Sequence, residues 1–155
     1  MSQHIIDLHI HSRYSRACSN RLDLPNIAAT CVEKGINIVS TGDFTHPAWF
    51  QDIQNLLEED GSGLLTLKNS SNPTKFIIGT EISCVYKHGG KVRRLHILGF
   101  APSIEAAGRF IATLEQRGVN LHSDGRPIMG IGAKEIVEIC LRVDKRMVVI
   151  PAHAW

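Results

Sequence analysis

Apolar residues along this chain fall into short strand-length runs, and stretches with helical spacing lie between them. Residues 4–10 predict a first strand, with Ile6, Leu8 and Ile10 alternating against Asp7 and His9. Leu24-Pro25 opens a helix that runs to Lys34, with Asp23 as its N-cap and Gly35 as its stop. Residues 36–41 predict a second strand, and Pro47 opens a second helix ending near Asp60-Gly61. Gly61-Ser62-Gly63 and Asn69-Ser70-Ser71-Asn72-Pro73 bracket a loop-like stretch. Residues 75–83 predict a third strand that continues into Tyr86, turns through Lys87-His88-Gly89-Gly90 and resumes at 91–100 as a hairpin. Ser103 caps a helix ending at Gly118, residues 120–132 read mostly as loop, 133–143 as helix and 147–152 as a last strand. The order β-α-β-α-ββ-α-α-β predicts an α/β fold with a mostly parallel sheet. The run Val148-Val149-Ile150 is of the kind expected in a strand covered on both faces.

Composition narrows the class. The chain has 155 residues, 43% apolar, with a net charge of +2, which suits one domain or part of one and gives no charge argument for nucleic acid or membrane. No stretch approaches the roughly 20 apolar residues of a membrane span, and Met1-Ser2-Gln3-His4 has no signal-peptide pattern, so a cytoplasmic protein is expected. Cys18, Cys31, Cys84 and Cys140 form no Cys-x-x-Cys pair and read as reduced, mostly buried thiols. No phosphate-binding Gly-x-x-x-x-Gly-Lys-Ser/Thr loop is present. A closed α/β barrel usually takes about 250 residues. Because the chain ends at Trp155, directly after its last strand, the expectation is the N-terminal part of a longer protein.

The candidate chemistry begins at Asp7-Leu8-His9-Ile10-His11-Ser12. On a strand, positions i, i+2 and i+4 share a face, so Asp7, His9 and His11 would point one way and the aliphatic residues the other. Two imidazoles beside an acid suit a divalent metal of intermediate softness. Further metal-competent residues close the later strands: Asp43 in Thr41-Gly42-Asp43, Glu81 in Gly79-Thr80-Glu81, His96 in Leu95-His96-Ile97, and His153 in Pro151-Ala152-His153. Active sites of parallel α/β folds lie at the carboxyl ends of strands, so these six side chains are expected to converge on one rim. Taken singly, each has a plain structural reading, Asp43 as a helix cap or His96 as a core histidine. His46 lies close enough to Asp43 to be a further candidate. No Gly-x-Ser-x-Gly elbow is present. Metal-activated water needs no protein nucleophile, which points to phosphoester hydrolysis.

Asp7-Leu8-His9-Ile10-His11-Ser12 resembles the opening motif of the PHP (polymerase and histidinol phosphatase) metal-dependent phosphoesterases. Glu81, His96 and Pro151-Ala152-His153 look like the later ligand motifs in the expected order. Within that superfamily the chain is most similar to the endonuclease Q branch, through residues 11–17, Thr41-Gly42-Asp43 and Asp124-Gly125-Arg126-Pro127. The resemblance implies a distorted (β/α)7 barrel, here an incomplete N-terminal part covering residues 1–155. It also implies two or three divalent ions, zinc or manganese, held by His9, His11, Asp43, Glu81, His96 and His153, with Asp43 where many relatives have histidine. Asp7, Asp43 and Glu81 are the expected catalytic acids, Asp7 acting by orienting a ligand histidine. The implied activity is nicking of DNA on the 5′ side of deaminated bases or at abasic sites. Further family ligands, including a Ser-Asp-Ala-His motif, would follow Pro-Ala-His.

Arg13, Arg16, Arg21 and Arg126 are candidate phosphate contacts, and Tyr14, Phe44 or Trp49 candidate stacking partners for an extruded base. Two alternatives stay open: a small-molecule phosphatase of the histidinol-phosphate type, and an inactive metal-binding fragment. An amidohydrolase also uses His-x-His, but gives no reason for Glu81 and His96 to share a hairpin.

Overall fold

Residues 3–154 are described by a computed structural model of the chain. Four helices and eight strands follow the order β1 (Ile6–Asp7), α1 (Leu24–Lys34), β2 (Ile38–Ser40), α2 (Pro47–Leu56), β3 (Leu57–Glu59), β4 (Leu65–Leu67), β5 (Lys75–His88), β6 (Lys91–Ala101), α3 (Ile104–Gln116), β7 (Ile128–Met129), α4 (Ala133–Val143) and β8 (Val148–Pro151). The helices form where the pattern placed them. In α1, Leu24, Ile27, Ala28 and Cys31 recur at helical spacing and are buried. Asp23 accepts the Asn26 backbone N–H at 2.9 Å, a cap whose loss typically costs about 1 kcal/mol. Gly35 closes the helix at φ +69°, a conformation glycine takes without steric cost.

The sheet is organised around β5. Its first residues lie between β2, parallel, and β4, antiparallel, while its later ones pair with β6, antiparallel, and β7, parallel. β1 adds to β2 in parallel, β3 to β4 and β8 to β6 antiparallel. The sheet is therefore mixed rather than mostly parallel. The β5–β6 hairpin forces one antiparallel pair, and β8 returns along β6 instead of crossing over. Helix α2 stops at Leu56, short of Asp60, because the chain turns there into β3. The stretch expected as loop folds instead into the small β3–β4 hairpin. The first strand contracts to Ile6–Asp7, the two residues that reach β2.

Trp49, Phe44, Phe76, Phe110 and Leu114 are among the fully buried side chains of the core. Val148 (51% exposed) and Ile150 (38%) correct the expectation of a doubly covered strand: β8 pairs only with β6 among the described residues. All four cysteines are free, with Cys31, Cys84 and Cys140 buried. Burial pushes the Cys84 thiol up to about 11 and Cys140 to about 12, which keeps both inert as nucleophiles. No helix among the described residues is long and apolar enough to cross a membrane.

Candidate metal centre

Beyond Asp7 the chain leaves the ladder and runs without regular secondary structure toward Ser12. The turn after β2 holds it there. Gly42 sits at φ +60°, and a Cβ on it would lie 2.5 Å from the Ile10 carbonyl oxygen, so only glycine allows the two backbones so close. Trp49 fixes this turn from below, its indole N–H donating to the Thr41 and Gly42 carbonyls at 3.1 and 2.8 Å. Asp43 follows with φ +48°, a left-handed conformation that aspartate tolerates better than most residues.

That conformation points Asp43 under His11. Oδ1 lies 3.0 Å from His11 Nδ1, and Oδ2 accepts the Ser12 N–H at 2.6 Å and the Ser12 and Ser15 hydroxyls at 2.8 Å each. Asp43 is fully buried, and Gly125 closes over it: a Cβ there would lie 2.4 Å from Oδ2. Both carboxylate oxygens are thus engaged behind His11. Asp43, rather than Asp7, thus makes the carboxylate contact to a histidine of the cluster. Asp7 instead accepts the His9 backbone N–H at 3.1 Å and meets no imidazole among its hydrogen bonds.

Glu81, in the middle of β5, is the hub. Its side chain is only 1% exposed, yet four histidines surround it. Oε2 lies 3.5 Å from His9 Nε2 and 3.2 Å from His11 Nε2. Oε1 lies 2.9 Å from His96 Nδ1 and 3.9 Å from His153 Nε2. His96 shares the Glu81 face because it opposes Ser83 across the β5–β6 hairpin. His153 arrives from the turn after β8, which the Ala152 N–H ties to the His96 carbonyl at 2.9 Å. Its φ of +52° is a second left-handed residue at the cluster. Such strain persists only where the surroundings fix it, and it gathers at functional sites.

Glu81 Oε1 and His96 Nδ1 are buried and close, yet neither makes a hydrogen bond. Two lone-pair atoms in this arrangement share a third centre better than they serve one another. Tetrahedral donors at about 2.0–2.1 Å from a zinc ion lie roughly 3.3 Å apart, and the Glu81–imidazole separations bracket that spacing. Donor atoms of His9, Glu81 and His153 all fall within 4.8 Å of one another. These three residues therefore fit a divalent metal, and His11 and His96 lie beside them on the two Glu81 oxygens.

Without metal the same contacts shift protons. Hydrogen bonds to Asp43 and then Glu81 raise His11 from 6.5 to about 9 despite partial burial. Burial pushes the Glu81 carboxyl up, but the His11 hydrogen bond and the charges of His96 and His9 outweigh it and bring it down to about 2.

Arg126 Nη1 reaches Glu81 Oε2 at 3.4 Å from the loop that carries Gly125. Arg13 is paired with Asp52 at 2.7 Å and lies over the Tyr14 ring, away from the cluster. The Arg16 side chain is exposed. Phe44 and Trp49 are core residues, and Tyr14 is stacked on His46 at 4.3 Å. His46 precedes α2 and makes no contact with Glu81; burial lowers its pKa. Ser12, Ser15 and Gly125 lie within the motifs that carry the resemblance, but nothing in the sequence assigned them a role at the site. Two serines in the turn after His-x-His were the available signal.

No family model matches the chain. An uncharacterized protein of Methanocaldococcus jannaschii is 30% identical over 148 residues, covering 96% of this chain and 16% of that one. The crystal structure of the lesion-specific endonuclease PfuEndoQ from Pyrococcus furiosus superposes with a TM-score of 0.81 at 33% identity, over 96% of this chain and 34% of the other. Endonuclease Q in complex with a 27-mer duplex substrate, with an abasic lesion at the active site, gives a TM-score of 0.80 at 33% identity, again over 34% of that chain. The chain thus spans about a sixth of its curated relative and a third of these solved structures, and its fold is endonuclease Q-like.

Proposed function

We propose that this chain carries the metal centre of a PHP-type phosphodiesterase that nicks DNA at damaged sites, on the 5′ side of deaminated bases or abasic positions. The observation that carries this reading is the buried carboxylate of Glu81, met by two imidazoles on each oxygen. The likeness to structures of a lesion-specific endonuclease supports DNA as the substrate. In this reading residues 1–155 are one PHP-like unit, and their strands belong to a distorted (β/α)7 barrel.

His9, His153 and Glu81 would hold one divalent ion, with His11 and His96, each against one Glu81 oxygen, as donors left for a second; zinc or manganese suits this mix of imidazole and carboxylate. When bound, such ions supply water acidified toward neutral pH and positive charge against a phosphodiester. The chain's own residues set the conditions. Asp43 takes the Nδ1 proton of His11 in a hydrogen bond, which leaves the Nε2 lone pair directed toward Glu81. The Ser12 and Ser15 donors hold Asp43 in that position. Arg126, half-exposed beside Glu81, is placed to take a phosphate oxygen once the Glu81 charge is matched by cations. Arg16 lies on exposed surface as a contact to flanking phosphate, while Arg13 is engaged with Asp52.

The test is cleavage of a duplex holding one deoxyuridine, deoxyinosine or abasic site, with zinc or manganese supplied and chelator as control. Nicking that is lost with chelator and in His9→Ala is the expected result. Chelator-resistant nicking, or full activity in His9→Ala, overturns the metal mechanism. Chelator-sensitive hydrolysis of small phosphomonoesters without nicking moves the assignment to the phosphatase branch.

A further inference from the structure

The β5–β6 hairpin continues well past the metal centre, and its two faces differ. Directly opposed residues of an antiparallel pair share a face, and side chains alternate along each strand. The register pairs Glu81 with Leu98, Ser83 with His96, Val85 with Arg94 and Lys87 with Val92. One strip therefore runs from Glu81 and His96 through Val85 and Arg94 to Lys87 and Val92. The other face carries Ile82, Cys84 and Tyr86, which pack on the core. Along the outer part of the strip, Lys87, Arg94 and Val92 are exposed, Val92 by half.

Between Glu81 and Glu105 the chain contains no acidic residue but holds Lys87, Lys91, Arg93 and Arg94. The hairpin thus has a charge of +4 in a protein whose net charge is +2. None of these four cations forms an ion pair among the described residues. Elsewhere several arginines are paired, as Arg13 is with Asp52 and Arg146 with Asp144. A concentration of unneutralised positive charge on one ribbon favours a polyanion. Beyond His96 the strip has no aromatic side chain, whereas proteins that bind single strands commonly stack bases on aromatic rings. It suits paired nucleic acid, approached through its backbone alone.

We propose that the strip Val85, Arg94, Lys87 and Val92, continuous with Glu81 and His96, docks the sugar–phosphate backbone of a DNA duplex beside the hydrolytic centre. This rests on the phosphodiesterase reading of that centre. At about 3.3–3.4 Å per residue, the six steps from Glu81 to Lys87 span roughly 20 Å. One DNA strand rises about 3.4 Å per phosphate, so the strip faces on the order of six phosphates. Arg94 takes those nearer the centre and Lys87 those farther away. Lys91 and Arg93 lie on the opposite face and take no part.

The experiment measures binding of a short fluorescein-labelled DNA duplex by anisotropy across a salt series, with chelator present so that no cleavage occurs. Wild-type chain is compared with Lys87→Ala/Arg94→Ala and with Lys91→Ala/Arg93→Ala. The two double variants lose the same charge from the same ribbon but from opposite faces, and unfolding midpoints matching wild type establish that each is folded. Each phosphate contact contributes about 0.9 to the slope of log K against log salt. Lys87→Ala/Arg94→Ala is expected to lower that slope by about 1.8 and to weaken binding about tenfold. Lys91→Ala/Arg93→Ala is expected to leave both near wild type. Equal losses in the two variants, no loss in the first, or no duplex binding by wild type overturns the proposal. Tighter binding of a single strand through Lys87 and Arg94 overturns the duplex assignment. Wild-type chain that shows the face-specific loss, yet hydrolyses no phosphodiester with metal supplied, leaves the docking strip standing and removes the catalytic reading.

Discussion

Asp43 and Glu81 are both buried carboxylates, and their surroundings give them different work. Asp43 takes the Ser12 backbone N–H and two serine hydroxyls on Oδ2 and meets His11 with Oδ1, so most of its acceptor capacity is spent within the protein. Glu81 has imidazole nitrogens on both oxygens, and its Oε1 makes no hydrogen bond. Asp43→Asn should therefore cost roughly 10–100-fold in metal affinity, while the donor atoms themselves remain. It should also bring the His11 pKa down from about 9 toward 6.5, read by NMR titration of the metal-free protein. Unchanged metal affinity in Asp43→Asn would show that the Asp43–His11 contact positions nothing.

The pH dependence belongs to the same residues. His11 has a raised pKa in the folded state, so it stabilises the metal-free fold fully below 6.5, and that contribution is lost as pH rises through about 9. Glu81 is depressed, so its contribution is present above 4.5 and is lost as pH falls through about 2. Together they favour the metal-free fold most between about pH 4.5 and 6.5. A cation at His11 Nε2 must displace a proton held there up to about pH 9. Metal affinity should therefore climb between pH 6.5 and 9, and binding at pH 7 should release protons. Calorimetry in buffers of different ionisation enthalpy measures that release; a pH-independent affinity would exclude the His11 linkage.

At the scale of elements, the close approach of the chain beyond β1 to the turn after β2 is what brings His11 onto Asp43. Gly42→Ala meets the Ile10 carbonyl and an unfavourable φ at once, and should destabilise by about 1–3 kcal/mol or more while weakening metal binding. Gly35→Ala has a similar φ of +69° but nothing within 4 Å of the new Cβ. It should lower stability by about 1 kcal/mol and leave metal affinity unchanged. Thermal unfolding and metal titration of the two variants separate a helix stop from a site-forming contact. Helix positions were legible in sequence because caps and glycine stops are local: Asp23, Gly35 and Ser103 all act as their residue types imply. Strand partners were less so. Nothing local in residues 57–67 distinguishes the end of a helix from the β3–β4 hairpin, and only tertiary pairing decides that β8 runs antiparallel to β6. The histidines of the site were legible because metal chemistry restricts residue type. The contact of Asp43 with His11 was not, since it depends on a left-handed turn and on two serines meeting one carboxylate oxygen.

For the whole molecule, the donor atoms come from widely separated parts of the chain. His9 and His11 follow β1, Glu81 and His96 sit on the central hairpin, and His153 follows β8, which is exposed along most of its length. A metal bound to all of them would tie the two outer strands to the middle of the sheet. Binding only to the folded state stabilises it by RT ln(1 + [L]/Kd), about 2.7 kcal/mol at a hundredfold excess over Kd. The unfolding midpoint should accordingly rise with zinc or manganese concentration and fall back on chelation. Amide exchange gives the spatial form of the same prediction. Metal should slow exchange in residues 8–12, which lie outside the ladder, and 148–153, where β8 is paired on one side only among the described residues, and change little in α1 or α3, which have their own buried faces. His153→Ala should abolish the gain at 148–153 while leaving most of the gain at 8–12, because His9, His11 and Glu81 Oε2 remain together. Loss of protection at both ends in His153→Ala would mean that the two donor sets bind as one indivisible unit, and uniform slowing over the whole chain would mean that metal acts on global unfolding alone.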